Sequence, residues 1–394
     1  MERMEDTLFA LPPLPEQDWA AHNAEQAAVW ASFYGGAPTR VPMVLGVTPR
    51  VLLCDRRYNP RGITFREYMN DPDMMRRVQC EFALFRRHFL PCDQEMGLPE
   101  QWSVYVDTQN VGEAAWLGAE IEYPAWEVPD TRPFLDEEDK NRLFDRGLPD
   151  PFDGIYGRMR EWNERLAGPG CTFMGRPVVV EPGGLSTDGP MTIACNLRGA
   201  AQFCMDLYLD SDYAMQLLDY ITEATILRIR ALRDFFGLPL PDNYWFADDS
   251  IALLSVADYE RFILPFHQKL LAGITTGRGR ENIIHLCGDA TRHFPLIRDR
   301  LHVNNFDTGY PVEHGKLAQV LGPEITIQGG PRIDLLRHGT PEETAAETRR
   351  ILDEVRPYTR RFVLREANNL PPGTPLDNVA AMYDTVRKFG QYDS

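Results

Sequence analysis

Apolar runs and polar exits alternate along this chain with a regularity that predicts its elements. Residues 18–33 place Trp19, Ala27, Trp30 and Phe33 at helical spacing. Residues 64–90 repeat Phe65, Tyr68, Met74, Met75, Val78, Phe82 and Phe85 every three or four positions, with a break expected at Asp71-Pro72. Short apolar runs begin near 41, 103, 178, 244, 283, 303, 325 and 362, and each is followed by a stretch of helical period. A helix is expected over 200–236, interrupted near Asp210, and others over 256–274 and 376–389. Thr340-Pro341-Glu342-Glu343 opens one more: Thr340 caps it, Pro341 suits the first helical position and Glu343 completes a capping box.

Eight strand-then-helix units predict an α/β chain, a single (β/α)8 TIM-type barrel over 41–394, preceded by a helical extension over 1–40. An open, doubly wound sheet is the alternative. No G-x-G-x-x-G follows a strand, which removes its dinucleotide-binding form. Residues 125–155, rich in Pro, Asp and Glu, read as an excursion with a short helix, long enough to be a lid.

Charge narrows the classes of partner. Lys and Arg number 41 against 58 Asp and Glu, a net charge of −17 over 394 residues, which argues against nucleic acid or an anionic membrane surface. No run approaches the ~20 apolar residues of a membrane span. The opening Met-Glu-Arg-Met-Glu-Asp lacks the regions of a signal peptide. Seven scattered Cys without a C-x-x-C suit a reducing compartment, so a cytoplasmic location is expected.

Candidate chemistry gathers where strands end, because barrel enzymes keep their active sites at the carboxyl ends of the strands. Those ends carry Asp107, Glu181, Asp248, His285 with Cys287, Asp307, Gln328 and Glu366, and Arg50 follows the first strand. Any one acidic residue there is also explained as turn or capping chemistry. His285 and Cys287 stand two apart, so on a strand they share a face, and imidazole beside thiolate suits zinc. A packed His and a buried Cys is the other reading. A ring of carboxylates around the pair points to a metal or acid–base site.

Several segments then carry a family resemblance. They are Gly189-Pro190-Met191-Thr192, Asp248-Asp249-Ser250 with Leu254-Ser255 and Phe262-Ile263-Leu264-Pro265-Phe266, and His285-Leu286-Cys287-Gly288. Gln328-Gly329-Gly330, Gly339-Thr340-Pro341-Glu342-Glu343 and Leu370-Pro371-Pro372-Gly373-Thr374-Pro375 complete the set. In this order, over about half of the chain, they resemble the uroporphyrinogen decarboxylase superfamily. The resemblance implies one barrel with an N-terminal helical extension.

Two activities follow from it. Decarboxylases of the superfamily need no metal or cofactor, and their catalytic Asp is matched by Asp107. Their R-Q-A-G-R-Y motif after the first strand is replaced by Gly46-Val47-Thr48-Pro49-Arg50, and their late His by Asn368. The other branch, the corrinoid:thiol methyltransferases, carries H-x-C-G and a later Cys as zinc ligands. His285 and Cys287 match the first two; the third falls at Asn368, so Glu366 at the same strand end is taken to supply an oxygen, with Asp248 and Asp289 as alternatives. The expected function is zinc-assisted methyl transfer between a small thiol, methyl ether or methylamine and a corrinoid on a partner protein. Asp107, Glu181 and Asp248 are the expected catalytic acids, and Arg50, Asp307, Gln328 and Asn368 the expected substrate contacts. A cofactor-independent decarboxylase of a small cyclic carboxylate, using Asp107, is the alternative; a non-catalytic, corrinoid-binding barrel is a third reading. Aromatic residues of the first two helices mark core or a homodimer face.

Overall fold

A computed structural model describes residues 7–392 of the chain. Five of the apolar runs form one parallel sheet, in the spatial order Trp245–Ala247, Ile283–Leu286, Asn305–Thr308, Thr326–Gly329 and Phe362–Leu364. Its register lines up Phe246, Ile284, Phe306, Ile327 and Phe362, all fully buried, in one row. The next row is Ala247, His285, Asp307, Gln328 and Val363. Successive side chains of a strand point to opposite faces, so the first row packs under the helices and the second faces the other way.

The arc extends at both edges. The first predicted strand, 41–47, forms only a bridge: Met43 lies parallel to Leu364, and the Val44 N–H donates to the Leu364 carbonyl at 2.9 Å. Pro42 lacks an N–H but accepts from Leu364, so this segment pairs without becoming a full ladder. At the other edge Asp188 bridges Ala247. A second parallel pair joins Trp102–Val104 to Arg176–Val180, which also holds Thr172–Phe173 antiparallel. Among the described residues no strand ladder joins this pair to the arc.

The expected helix breaks fall where the chemistry puts them. Residues 64–90 split into Phe65–Asn70, with a full capping box from Thr64 and Glu67, and Pro72–Phe89, capped by Asp71. Residues 200–236 split at Asp210 into Ala200–Leu209 and Ser211–Phe235. The helix expected over 256–274 is broken by a π-helical turn, Tyr259–Ile263, before Leu264–Ile274; Pro265 there has no N–H to offer the preceding turn.

The 125–155 excursion is more ordered than its composition suggests. Glu120–Glu122 and Asp130–Arg132 pair as an antiparallel hairpin, and Arg142–Arg146 and Gly154–Glu161 are helices. The hairpin end is held by stacking, with Arg56 over Trp126 at 5.0 Å and Arg66 over Tyr123 at 4.5 Å. Helix Ala20–Tyr34 is fixed through Trp30, whose ring N–H donates to the Asp93 carbonyl at 2.6 Å, and through Glu25, paired with Arg387 at 2.7 Å. Among the described residues no helix is long and apolar enough to cross a membrane.

Candidate active site

The polar row of the sheet builds the site. His285 and Asp307 are register partners on adjacent strands, and His285 Nδ1 lies 2.8 Å from Asp307 Oδ2. The other ring nitrogen, Nε2, lies 2.9 Å from the Cys287 sulfur. The Cys287 N–H donates to Asp249 Oδ1 at 2.5 Å. One donor atom from each of Asp249, His285 and Cys287 lies within 4.8 Å of the others.

Nitrogen, sulfur and oxygen from three side chains, with a fourth position left open, is the donor set of a catalytic zinc. The three residues therefore fit the metal that the sequence implies, with Asp249 as the oxygen donor. Burial alone would lower the His285 imidazole, but its bonds to Asp307 and Cys287 outweigh that and raise it to about 11. Burial raises the Cys287 thiol, against the pull of His285. A carboxylate on Nδ1 fixes the ring so that Nε2 faces the Cys287 sulfur.

The remaining expected residues separate into those near this group and those committed elsewhere. Asp107 is buried, accepts from the Tyr68 hydroxyl at 2.6 Å and from the Gln109 N–H at 2.8 Å, and is raised by burial against those bonds. Arg50 donates through Nε to Thr48 at 2.9 Å, and its charge interacts with both Asp107 and Cys287. Gln328 donates to Asn305 at 2.9 Å. Glu181 is exposed and accepts from Ser103 on the neighbouring strand at 3.3 Å. Asn368 has φ 131, and its carbonyl accepts from Arg365 at 2.6 Å.

Asp248, expected among the catalytic acids, lies on the other side of its strand. It is fully buried and accepts from the Thr192 N–H and hydroxyl, both at 2.7 Å, and from the Met191 N–H at 3.2 Å. His267 Nε2 lies 2.7 Å from it, and the other His267 nitrogen 3.1 Å from the Tyr259 hydroxyl. Asp248 thus caps helix Pro190–Arg198 from a different strand, a role its own N-cap residue, Gly189, cannot fill. A Cβ on Gly189 would sit 2.3 Å from Asp248 Oδ2, so only glycine admits the carboxylate there.

Glu366, expected as the oxygen ligand, is not in the metal-competent group among the described residues. It is fully buried, accepts from the Gly46 N–H at 2.7 Å and lies 3.4 Å from Arg365. Burial lifts its carboxyl from an ordinary 4.5 to about 8. Stability from this group is therefore complete below pH ~4.5 and lost as pH rises through about 8. Glu366→Gln should then melt higher relative to wild type at pH 8 than at pH 5. Melting curves at both pH values check this, and an unchanged difference would mean that Glu366 is already ionised at the lower one.

Three residues that sequence reasoning passed over complete the site. Asp249 replaces Asp248 beside the His–Cys pair. Arg365 donates to the oxygen of Asp307 that faces His285. Asp188 interacts with His285, Asp249, Asp248 and Glu113; burial, then repulsion from those carboxylates, holds it well above the usual range.

Comparison with known proteins bears on the fold and the family. A methyltransferase from Methanosarcina mazei shares the fold, with a TM-score of 0.63 at 19% identity over 92% of this chain and 98% of that one. The Methanosarcina mazei methylated-thiol–coenzyme M methyltransferase is 28% identical over 196 residues, 49% of each chain. The methylcobamide:CoM methyltransferase MtbA of the same organism is 24% identical over 42% of this chain and 47% of its own. A uroporphyrinogen decarboxylase of Geobacter metallireducens is 28% identical over 35% of this chain and 39% of its own. The matches thus span half or less of these curated relatives' length. The family model for uroporphyrinogen decarboxylase (URO-D) matches residues 25–389, nearly the whole chain, so this protein, with its His–Cys pair on a parallel α/β scaffold of TIM-barrel type, belongs to that family.

Proposed function

We propose that this chain is a methyltransferase that moves a methyl group between a small thiol, methyl ether or methylamine and a corrinoid carried by a partner protein, with zinc held by Asp249, His285 and Cys287. The observation that carries the reading is the meeting of His285 Nε2 and the Cys287 sulfur at 2.9 Å, with Asp249 completing the donor set. It agrees with the names of two relatives, a methylated-thiol–coenzyme M methyltransferase and a methylcobamide:CoM methyltransferase.

A bound zinc supplies stabilisation of the deprotonated sulfur, oxygen or nitrogen from which the methyl leaves or to which it comes. The chain's own residues do the rest. Asp307 holds the His285 ring by Nδ1. Arg50, whose charge interacts with Asp107 and Cys287, offers its guanidinium to an anionic group of the substrate. Asp107, fixed by Tyr68 and Gln109, orients a hydrogen-bond donor of the substrate. In this reading the sheet arc and the Trp102–Arg176 pair are parts of one eight-stranded barrel over 41–394. All seven cysteines are free, which suits a reducing, cytoplasmic setting.

Protein purified without chelator should contain about one zinc ion per chain and convert methylcob(III)alamin, followed by its absorbance, when offered one of a panel of small thiols. Zinc well below that ratio would sink the reading. The second reading, a decarboxylase, is favoured by the buried Asp107 beside Arg50 and by the uroporphyrinogen decarboxylases among the relatives. It requires that Cys287→Ser leave turnover nearly intact while Asp107→Asn removes it.

A further inference from the structure

Asp307 holds the His285 ring, but what holds Asp307 is a separate question. Its Oδ2 lies 2.8 Å from His285 Nδ1 and also accepts from Arg365 Nη1, while its Oδ1, though buried, has no partner among the described residues. Arg365 is thus the one protein group, besides the imidazole itself, that fixes this carboxylate among the described residues. Arg365 is in turn clamped. Its Nη2 donates to the Asn368 carbonyl at 2.6 Å and lies 3.4 Å from Glu366 Oε1. The carbonyl is presented by a residue with φ 131, a strained conformation for an asparagine that persists only where surrounding bonds enforce it. The first strand segment also makes room for the guanidinium, since a Cβ on Gly46 would lie 2.1 Å from Arg365 Nη2.

We propose that Arg365 is a positioning residue for the metal group: clamped by Asn368, Glu366 and the space left at Gly46, it fixes Asp307, which orients the His285 ring so that Nε2 faces Cys287 and Asp249. This rests on the metal reading above. It also gives Asn368 a function, since its main chain braces the ring of the first ligand from a distance. A guanidinium suits the task because its planar fork reaches two acceptors at once, which a lysine ammonium cannot match in geometry.

The test is a double-mutant cycle on zinc affinity, by chelator competition, with the full-length protein, Arg365→Gln, Asp307→Asn and the double variant. Arg365→Gln should weaken zinc about tenfold, the scale of losing an outer-shell partner. In the Asp307→Asn background the same change should add less than about twofold, because the two act in series. Equal losses in both backgrounds, or an affinity in Arg365→Gln within twofold of wild type, would overturn the proposal. Gly46→Ala, which displaces the guanidinium and leaves it charged, should reproduce the loss. A metal-free readout separates this proposal from the metal reading. The 15N-histidine NMR spectrum, with the His285 signal assigned by its absence in His285→Gln, should show an Nδ1 proton far downfield that moves or exchanges faster in Arg365→Gln. If wild type takes no zinc, the metal reading fails. The NMR comparison then still decides Arg365: a shifted Nδ1 proton supports the positioning role and an unchanged one overturns it.

Discussion

Cys287→Ser and His285→Ala should each abolish zinc retention and cut methyl transfer by more than about 100-fold, the upper range for losing a mere outer-shell partner. Serine keeps the volume of Cys287 but offers a hydroxyl, which does not deprotonate readily enough to replace a thiolate beside Asp249. His285 contributes both a donor atom and the link to Asp307, so alanine there removes a ligand and its orienting carboxylate together. The Cys287 side chain faces the site and not the apolar row under the helices, so Cys287→Ser should melt close to wild type, whereas His285→Ala leaves the buried Asp307 with Arg365 alone among the described residues and should melt lower. Metal analysis beside the kinetics makes the result decisive. Full activity in a zinc-free Cys287→Ser protein would remove the methyltransferase mechanism.

The adjacent aspartates should fail in opposite ways. Asp248→Ala uncaps helix Pro190–Arg198 and strands the fully buried His267 without its 2.7 Å partner. Breaking one side of a buried pair of this kind costs about 3–5 kcal/mol, so the variant should unfold well below the wild-type temperature or fail to accumulate. Asp249→Asn keeps its volume and can still accept the Cys287 N–H, so stability should change little while zinc affinity and turnover fall. Thermal melts and zinc titrations of the two variants check the contrast. A stable Asp248→Ala protein with weakened zinc binding would exchange the roles assigned here.

The sequence announced the parallel α/β pattern clearly, because strands buried on both faces must be short apolar runs and crossover helices must be amphipathic. The His–Cys pair was equally legible, since spacing of two fixes a shared face. At two strand ends the structure groups a neighbour of the expected acidic residue with the His–Cys pair: Asp249 beside Asp248, and Arg365 beside Glu366. Ala247 is the register partner of His285, so Asp249, two residues on, shares that face, whereas Asp248 turns under the helix. Val363 is the partner of Gln328, so Arg365, two residues on, shares that row and reaches Asp307. Register across strands was the missing quantity, and only pairing supplies it. The hairpin at 120–132 was invisible for another reason: strands of three residues are too short to show a period.

The bridge between Met43 and Leu364, with the Gly46–Glu366 bond 320 residues apart in sequence, bears on how the chain is made. A ribosome adding about 5–20 residues per second leaves the 41–47 segment without its mate for some tens of seconds. During that interval its apolar side chains and open edge are exposed to other nascent chains. Pairing of this edge therefore waits until residue 364 has been made, and overexpression at high temperature should favour inclusion bodies through that edge.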